Sequence, residues 1–152
     1  MAAPIPDPAP AFTLPDDTLN ILLLGSVLRT SASFRTDTIV LVSIQPSRSG
    51  VAIVSIPRDL YVYLPGLGMQ RINTAVMYGE ELGYPGGGLA LLRDTLLYNL
   101  GLPVHRFARI EMSGFVDLID SLGGVDVPVA CPYTDWHVVA PEVSLAKESS
   151  WE

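Results

Sequence analysis

Apolar residues in this chain fall into short runs. "NILLLG" (Asn20–Gly25) is a continuous apolar run closed by glycine, the pattern of a fully buried strand. Thr38–Ile44 and Val51–Ile56 are β-branched runs flanking "QPSRSG", whose Pro, Ser and Gly mark a turn, so the pair predicts a β-hairpin. "VHRFARIEM" alternates as a further strand, and "VDVPVA" as one more. Elsewhere the period lengthens. Thr74–Leu82 has the length of a short helix, and Gly88–Leu100 sets Leu89, Leu92, Leu96 and Leu100 near helical spacing with Gly101 as the stop. Ser113 reads as the N-cap of a helix with Phe115, Leu118, Ile119 and Leu122 on one face and Asp117 and Asp120 on the other, ended by Gly123-Gly124. Strands and helices interleave around one hairpin, which predicts an α/β fold layered on a mixed sheet.

The flanks differ. Residues 1–19 are proline-rich with no apolar period and read as an extended linker or tail. Residues 132–152 show no clear period, which leaves residues 20–131 as the folded domain.

A length of 152 residues suits one domain with a sizeable core. Hydrophobic residues make up 49% and charged residues 16%, a globular composition. Mean hydropathy is +0.37, yet no apolar run approaches the roughly 18 to 20 residues that cross a bilayer, and no signal peptide is recognisable. The surplus of Leu, Val and Ile is open to three readings: a thick core, an apolar cavity for a lipid, or an exposed patch.

The net charge of −7 argues against nucleic acid, which needs a basic face to displace counterions. The nine basic residues are eight arginines and Lys147, a bias that suits forked contacts to phosphate or carboxylate. Cys131 is the only cysteine; with no base matched to it, it reads as a small buried hydrophobe.

Arg29, Arg35, Arg58 and Arg71 lie where strands begin or end, the part of an open α/β sheet where ligands bind. Converging, they would line a cleft that needs an anion to complete it; the plainer reading pairs each with a surface Asp or Glu. Asp37 opens the second strand, either as a Mg²⁺ ligand or as an acceptor for nearby backbone N–H groups. Arg58 and Asp59 follow Pro57, which fixes the exit direction from the preceding strand, and a local Arg58–Asp59 surface pair is the alternative there. Gly86–Gly88 matches no phosphate-loop pattern and reads as a loop before a helix. His105 and His137 have no partner at metal-ligand spacing and read as structural or surface residues, and no nucleophile elbow is present.

Taken in order, "NILLLGS", "FRTDTIVLVSI", "VAIVSIPRDLYVYLPG", "RINTA" and "LGLPVHRFARIEMSGFVDLIDSLGGVDVPV" resemble the LytR-CpsA-Psr family over Asn20–Ala130. The resemblance implies a three-layer α-β-α sandwich with a mixed central sheet, here incomplete at its C-terminal end. It implies a phosphotransferase that moves a glycopolymer from a polyprenyl-pyrophosphate carrier to a peptidoglycan acceptor, at the extracytoplasmic face of the bacterial membrane and close to its lipid. It also implies Mg²⁺ as cofactor, with Asp37 as metal ligand. Asp37, Arg35 and Arg58 then match catalytic positions, and Arg29, Arg35, Arg58, Arg71 and Asn73 match the pyrophosphate-binding ones. Two departures stand beside the match. Val27 ("GSVLR") occupies the place of a second metal aspartate, and the family's distal arginine-rich segment does not follow residue 131. They imply an alternative, a catalytically impaired or truncated module that binds polyprenyl pyrophosphate. A role in transcriptional attenuation, a label also attached to the family, finds no DNA-binding motif here.

Overall fold

A computed structural model describes residues 4–28 and 34–131, with the backbone alone for Val27, Leu28, Phe34 and Arg35. Strand β1 (Leu19–Leu28) is the axis of the sheet. It pairs antiparallel with β2 (Phe34–Gln45) and parallel with β6 (Arg106–Glu111), while β3 (Gly50–Ser55) closes the hairpin on the far side of β2. The order β3-β2-β1-β6 is therefore mixed, as the interleaved pattern predicts.

Cross-strand register explains the core. Leu22 faces Leu41 and Leu24 faces Ile39, so four large apolar side chains stand on one face of the sheet. All four are essentially buried, in one cluster with Val76 of α1 (Ala75–Glu81) and with Leu91, Leu92 and Leu96 of α2 (Gly87–Leu100). Val62 and Leu64 of β4 (Tyr61–Leu64) complete the cluster; β4 pairs with β5 (Gly68–Arg71) as a separate small hairpin. Successive strand residues alternate between faces, so Leu23 and Ile53 point the other way and are exposed. α3 (Met112–Ser121) starts on that second face: a Cβ on Gly114 would lie 3.8 Å from Cγ1 of Ile110, which shares the face with Gly25. Helices α1 and α2 thus pack on one face of the mixed sheet, and α3 leaves β6 on the other with none of its residues buried.

α1 and α2 meet backbone to backbone. A Cβ on Gly79 would lie 2.5 Å from the Gly88 Cα, and one on Gly88 only 2.1 Å from the Val76 carbonyl oxygen. The Glu80 carboxylate reaches across this crossing and accepts the Gly88 N–H at 2.9 Å, capping the first turn of α2 where the helix dipole favours an anion. At the far end of the sheet, the Asn20 N–H donates to His105 Nδ1 at 2.9 Å, and the Asn20 side-chain amide donates to the Pro103 carbonyl at 2.7 Å. His105 is a structural residue holding the start of β1 to the start of β6; His137 lies outside the described residues.

Three expectations need correction, and two short strands are missed. β4 and β5 go unread in the sequence because four residues each are too few to establish a period. "VDVPVA" is not a strand: Val125, Val127 and Val129 are exposed, no strand pairs with them among the described residues, and Pro128 lacks a ladder donor. α3 begins at Met112 with Glu111 at the N-cap, so Ser113 lies inside the first turn and caps nothing. Cys131 is exposed rather than buried.

Residues 1–19 read in sequence as an extended linker, yet part of this stretch is held in place. The Ala9 N–H donates to the Tyr98 carbonyl at 2.7 Å, the Phe12 N–H to the Gly101 carbonyl at 3.1 Å, and the Tyr98 hydroxyl to the Pro6 carbonyl at 2.8 Å. Gly101 ends α2 in the left-handed conformation, and a side chain there would collide with the Pro10 carbonyl. The Ser47 N–H donates to Asp17 at 2.7 Å, which holds that carboxyl below its ordinary pKa of 3.8.

The helix crossing yields a prediction. Gly88→Ala puts a methyl group into the Val76 carbonyl, which is backbone and cannot swing aside. The variant should lose about 2 kcal/mol or more in urea unfolding; an unchanged midpoint would show that the two helices separate freely.

Candidate functional site

The candidate residues meet where β1 and β2 are paired irregularly. Gly25 faces Thr38 and Ser26 faces Thr36, so Asp37 is an extra residue in β2 with no partner across the ladder. Such a bulge bends the strand and re-aims the side chain it carries. Here it leaves Asp37 about one-third exposed between a buried Thr36 and an exposed Thr38. Gly25 makes the close approach possible, since a Cβ at this position would stand 3.0 Å from the Thr38 Cβ.

β3 delivers the second component. Ile56 is buried, its N–H donating to the Ile39 carbonyl at 2.8 Å, and Pro57 then turns the chain so that Arg58 and Asp59 emerge beside Asp37. Arg58 Nη1 donates to Asp37 Oδ1 at 2.7 Å, while its Nε lies 3.4 Å from Asp59 Oδ2. Asp59 Oδ1 is 3.3 Å from Arg71 Nη1 at the end of β5. Asp37, Arg58, Asp59 and Arg71 therefore form one alternating chain of charges. The hydrogen bond from Arg58 to Asp37 is the main reason that the guanidinium pKa is raised above its ordinary value, with the charges of Asp37 and Asp59 adding to it.

A turn of 3₁₀ helix over Ile72–Thr74 binds these segments together. The Ile72 N–H donates to the Leu60 carbonyl at 2.8 Å, and the Asn73 N–H to the Arg58 carbonyl at 3.2 Å. The Thr36 hydroxyl, fully buried, reaches the Asn73 carbonyl at 3.4 Å. The segment carrying Arg58 is thus stitched through Asn73 to the residue next to Asp37. Asn73 itself is buried, with Oδ1 unpartnered, as is Ser26 Oγ.

Of the residues singled out in the sequence, the fold gathers Asp37, Arg58, Arg71 and Asn73, with Asn73 below the charged surface rather than on it. Arg29 and the side chains of Arg35 and Val27 lie outside the described residues; the backbone of Arg35 faces Val27 across the sheet. Two contributors, Gly25 and Thr36, carry no mark in the sequence, and a third, Asp59, does more there than its pairing with Arg58 suggests. Asp59 is not merely the local partner of Arg58 but the link to Arg71, while Gly25 and Thr36 shape and anchor the bulge. The Arg-Asp dipeptide carries a signal for Asp59; nothing in the sequence marks a bulge.

The donor set suits a divalent cation poorly. Asp37 offers one carboxylate whose Oδ1 is already taken by Arg58, position 27 offers a valine with no donor atom, and Asp59 is shared by two arginines. Among the described residues no three His, Cys, Asp or Glu side chains gather as ligands. What the arrangement does present is a half-exposed guanidinium pair, Arg58 and Arg71, fixed by carboxylates at a strand end and suited to an oxyanion.

Comparison with known proteins follows the same residues. The model of the LytR_cpsA_psr family matches residues 6–144. A polyisoprenyl-teichoic acid–peptidoglycan teichoic acid transferase, TagU, of Oceanobacillus iheyensis is 41% identical over 111 residues, which are 73% of this chain and 34% of that protein. TagU of Bacillus cereus is 34% identical over 110 residues, 72% of this chain and 34% of that protein. Among solved structures, the LytR-CPS2A-psr family protein YwtF (TagT) with bound octaprenyl pyrophosphate lipid aligns with a TM-score of 0.63 at 31% identity, covering 76% of this chain and 43% of its own. TagT bound to LI-WTA aligns with a TM-score of 0.65 at 32% identity, covering 76% and 42%. This chain thus spans about a third of the length of the curated relatives it matches.

The ion network predicts its own energetic weight. Arg58 is 53% exposed and Arg71 more so, and pairs this wet contribute little to stability. Arg58→Ala should therefore leave the urea unfolding midpoint almost unchanged. A large drop in the midpoint would make the cluster a structural device instead of a site.

Proposed function

The chain belongs to the LytR_cpsA_psr family, and from that premise we propose that it binds a polyprenyl-pyrophosphate-linked glycopolymer and passes the glycopolymer phosphate to a peptidoglycan hydroxyl. The observation that carries this reading is the Asp37–Arg58–Asp59–Arg71 chain of charges at the bulged end of β1 and β2. Two guanidinium groups held in place by carboxylates are ready to exchange those partners for phosphate oxygens. Catalysis of phosphoryl transfer consists mostly of positioning and charge stabilisation, which fixed arginines provide.

In the proposed reaction the acceptor hydroxyl oxygen attacks the phosphorus that bears the glycopolymer. A new P–O bond forms, the P–O–P bridge breaks, and polyprenyl phosphate leaves. The hydroxyl proton passes to a carboxylate, of which Asp37 and Asp59 are the two at the site. Arg58 and Arg71 hold the pyrophosphate, and Arg29 and Arg35 are assigned to the same ligand. Asn73 supports them from below. Relatives named for teichoic acid and peptidoglycan, and a related structure carrying octaprenyl pyrophosphate, support this substrate class. On this reading the work is done at the extracytoplasmic face of the membrane; no helix among the described residues is long and apolar enough to cross one.

Val27 favours a second reading, a module that binds the lipid pyrophosphate without completing transfer. One assay separates the two. The chain is mixed with a polyprenyl-pyrophosphate-linked glycopolymer and peptidoglycan, and both bound lipid and released polyprenyl phosphate are measured. Binding with release supports the transferase, binding without release supports the module, and no binding overturns both. Arg58→Ala should weaken lipid binding about tenfold or more, the worth of one charge-assisted contact to phosphate.

A further inference from the structure

We propose that in this chain the Arg58 guanidinium takes the place of a divalent cation, so that the site accepts a lipid pyrophosphate without metal. The inference rests on the ligand proposed above and adds how its charge is met.

Three observations converge. The first is the donor set. Mg²⁺ demands near-octahedral oxygen coordination built on one or two carboxylates, waters and substrate phosphates. At the bulge the one unshared carboxylate is Asp37, and it is bonded at 2.7 Å by Arg58. Position 27, one residue beyond Ser26 toward the end of β1, is a valine, a residue type with no side-chain oxygen. The remaining carboxylate, Asp59, is placed between Arg58 Nε and Arg71 Nη1.

The second is the balance of charge. Asp37 and Asp59 bring two negative charges, Arg58 and Arg71 two positive ones, so the four side chains are neutral together. A site with more carboxylates than cations would need a metal before it could admit an anion. This one presents no net negative charge to an arriving pyrophosphate, and its two guanidinium groups stand beside the carboxylates to meet it.

The third is geometry. Arg58 uses Nη1 toward Asp37 and Nε toward Asp59, which fixes the plane of the guanidinium. Its Nη2 donates to neither. Nη2 thus keeps its N–H groups for a phosphate oxygen, on a planar group whose direction the two carboxylates set. Arg58 stays protonated at every working pH, so the neutralising charge is permanent, unlike a dissociable ion.

The test uses the full chain and geranyl pyrophosphate, a soluble lipid pyrophosphate, by calorimetry in EDTA and in Mg²⁺. The wild-type affinities in the two buffers should agree within about threefold, and Arg58→Ala should lose about tenfold in EDTA. Val27→Asp, with its fold checked by circular dichroism, should bind weakly in EDTA and recover with Mg²⁺, because it adds an uncompensated carboxylate. Wild-type binding that falls about tenfold or more in EDTA overturns the inference and leaves the proposed ligand standing. Absence of binding in both buffers overturns the proposed ligand and this inference together. The comparison on the wild type decides the matter even where Val27→Asp does not fold.

Discussion

Everything at the site depends on one interruption in the pairing of β1 with β2. A regular antiparallel ladder would carry the residues of β2 alternately into the core and onto the opposite face. The register break between Gly25 and Ser26 removes Asp37 from that alternation. Thr36 turns inward, where its hydroxyl finds the Asn73 carbonyl, Thr38 turns outward over a glycine, and the aspartate between them faces the exit of β3. Arg58 then has a fixed carboxylate to meet, and Asp59 carries the contact on to Arg71. The bulge is thus what adds Asp37 to the pairs that Asp59 makes with Arg58 and Arg71.

Most of the scaffold is legible in the sequence because its signals are local. A glycine-closed apolar run marks β1, β-branched runs around a Pro-Ser-Gly turn mark β2 and β3, and leucine spacing ended by Gly101 marks α2. The errors have physical causes as well. A four-residue strand such as Tyr61–Leu64 is defined by its partner and not by its own period. The alternation of "VDVPVA" is compatible with a strand, yet alternation is only permission, and a strand forms where another edge receives it. Exposed Cys131 shows that a residue type commonly buried says little where no element surrounds it.

The site is legible by composition and order, and much less so by geometry. The surplus of arginine over lysine and the placement of Arg58 and Arg71 near strand ends point to an anion. The choice between a shared cleft and separate surface pairs stays open in the sequence. In the fold Arg58 and Arg71 do pair with carboxylates at the surface, and Asp59, shared between them, brings the two together. Asn73 is instructive in the same way. Its side chain is buried, and its backbone donates to Arg58 while accepting from Thr36, a role that spacing does not reveal.

The N-terminal strap has a mechanical consequence. Its backbone hydrogen bonds at Ala9 and Phe12, and the Tyr98 hydroxyl bond to Pro6, attach it to the C-terminal turn of α2, well before the chain enters β1 at Leu19. A pull on the N-terminus would therefore reach the end of a helix first. The central strand, and with it the bulge at Asp37, feels tension only after that attachment has given way. The proline-rich opening of the chain is thus fastened to the end of α2 before it reaches the strand that carries the site.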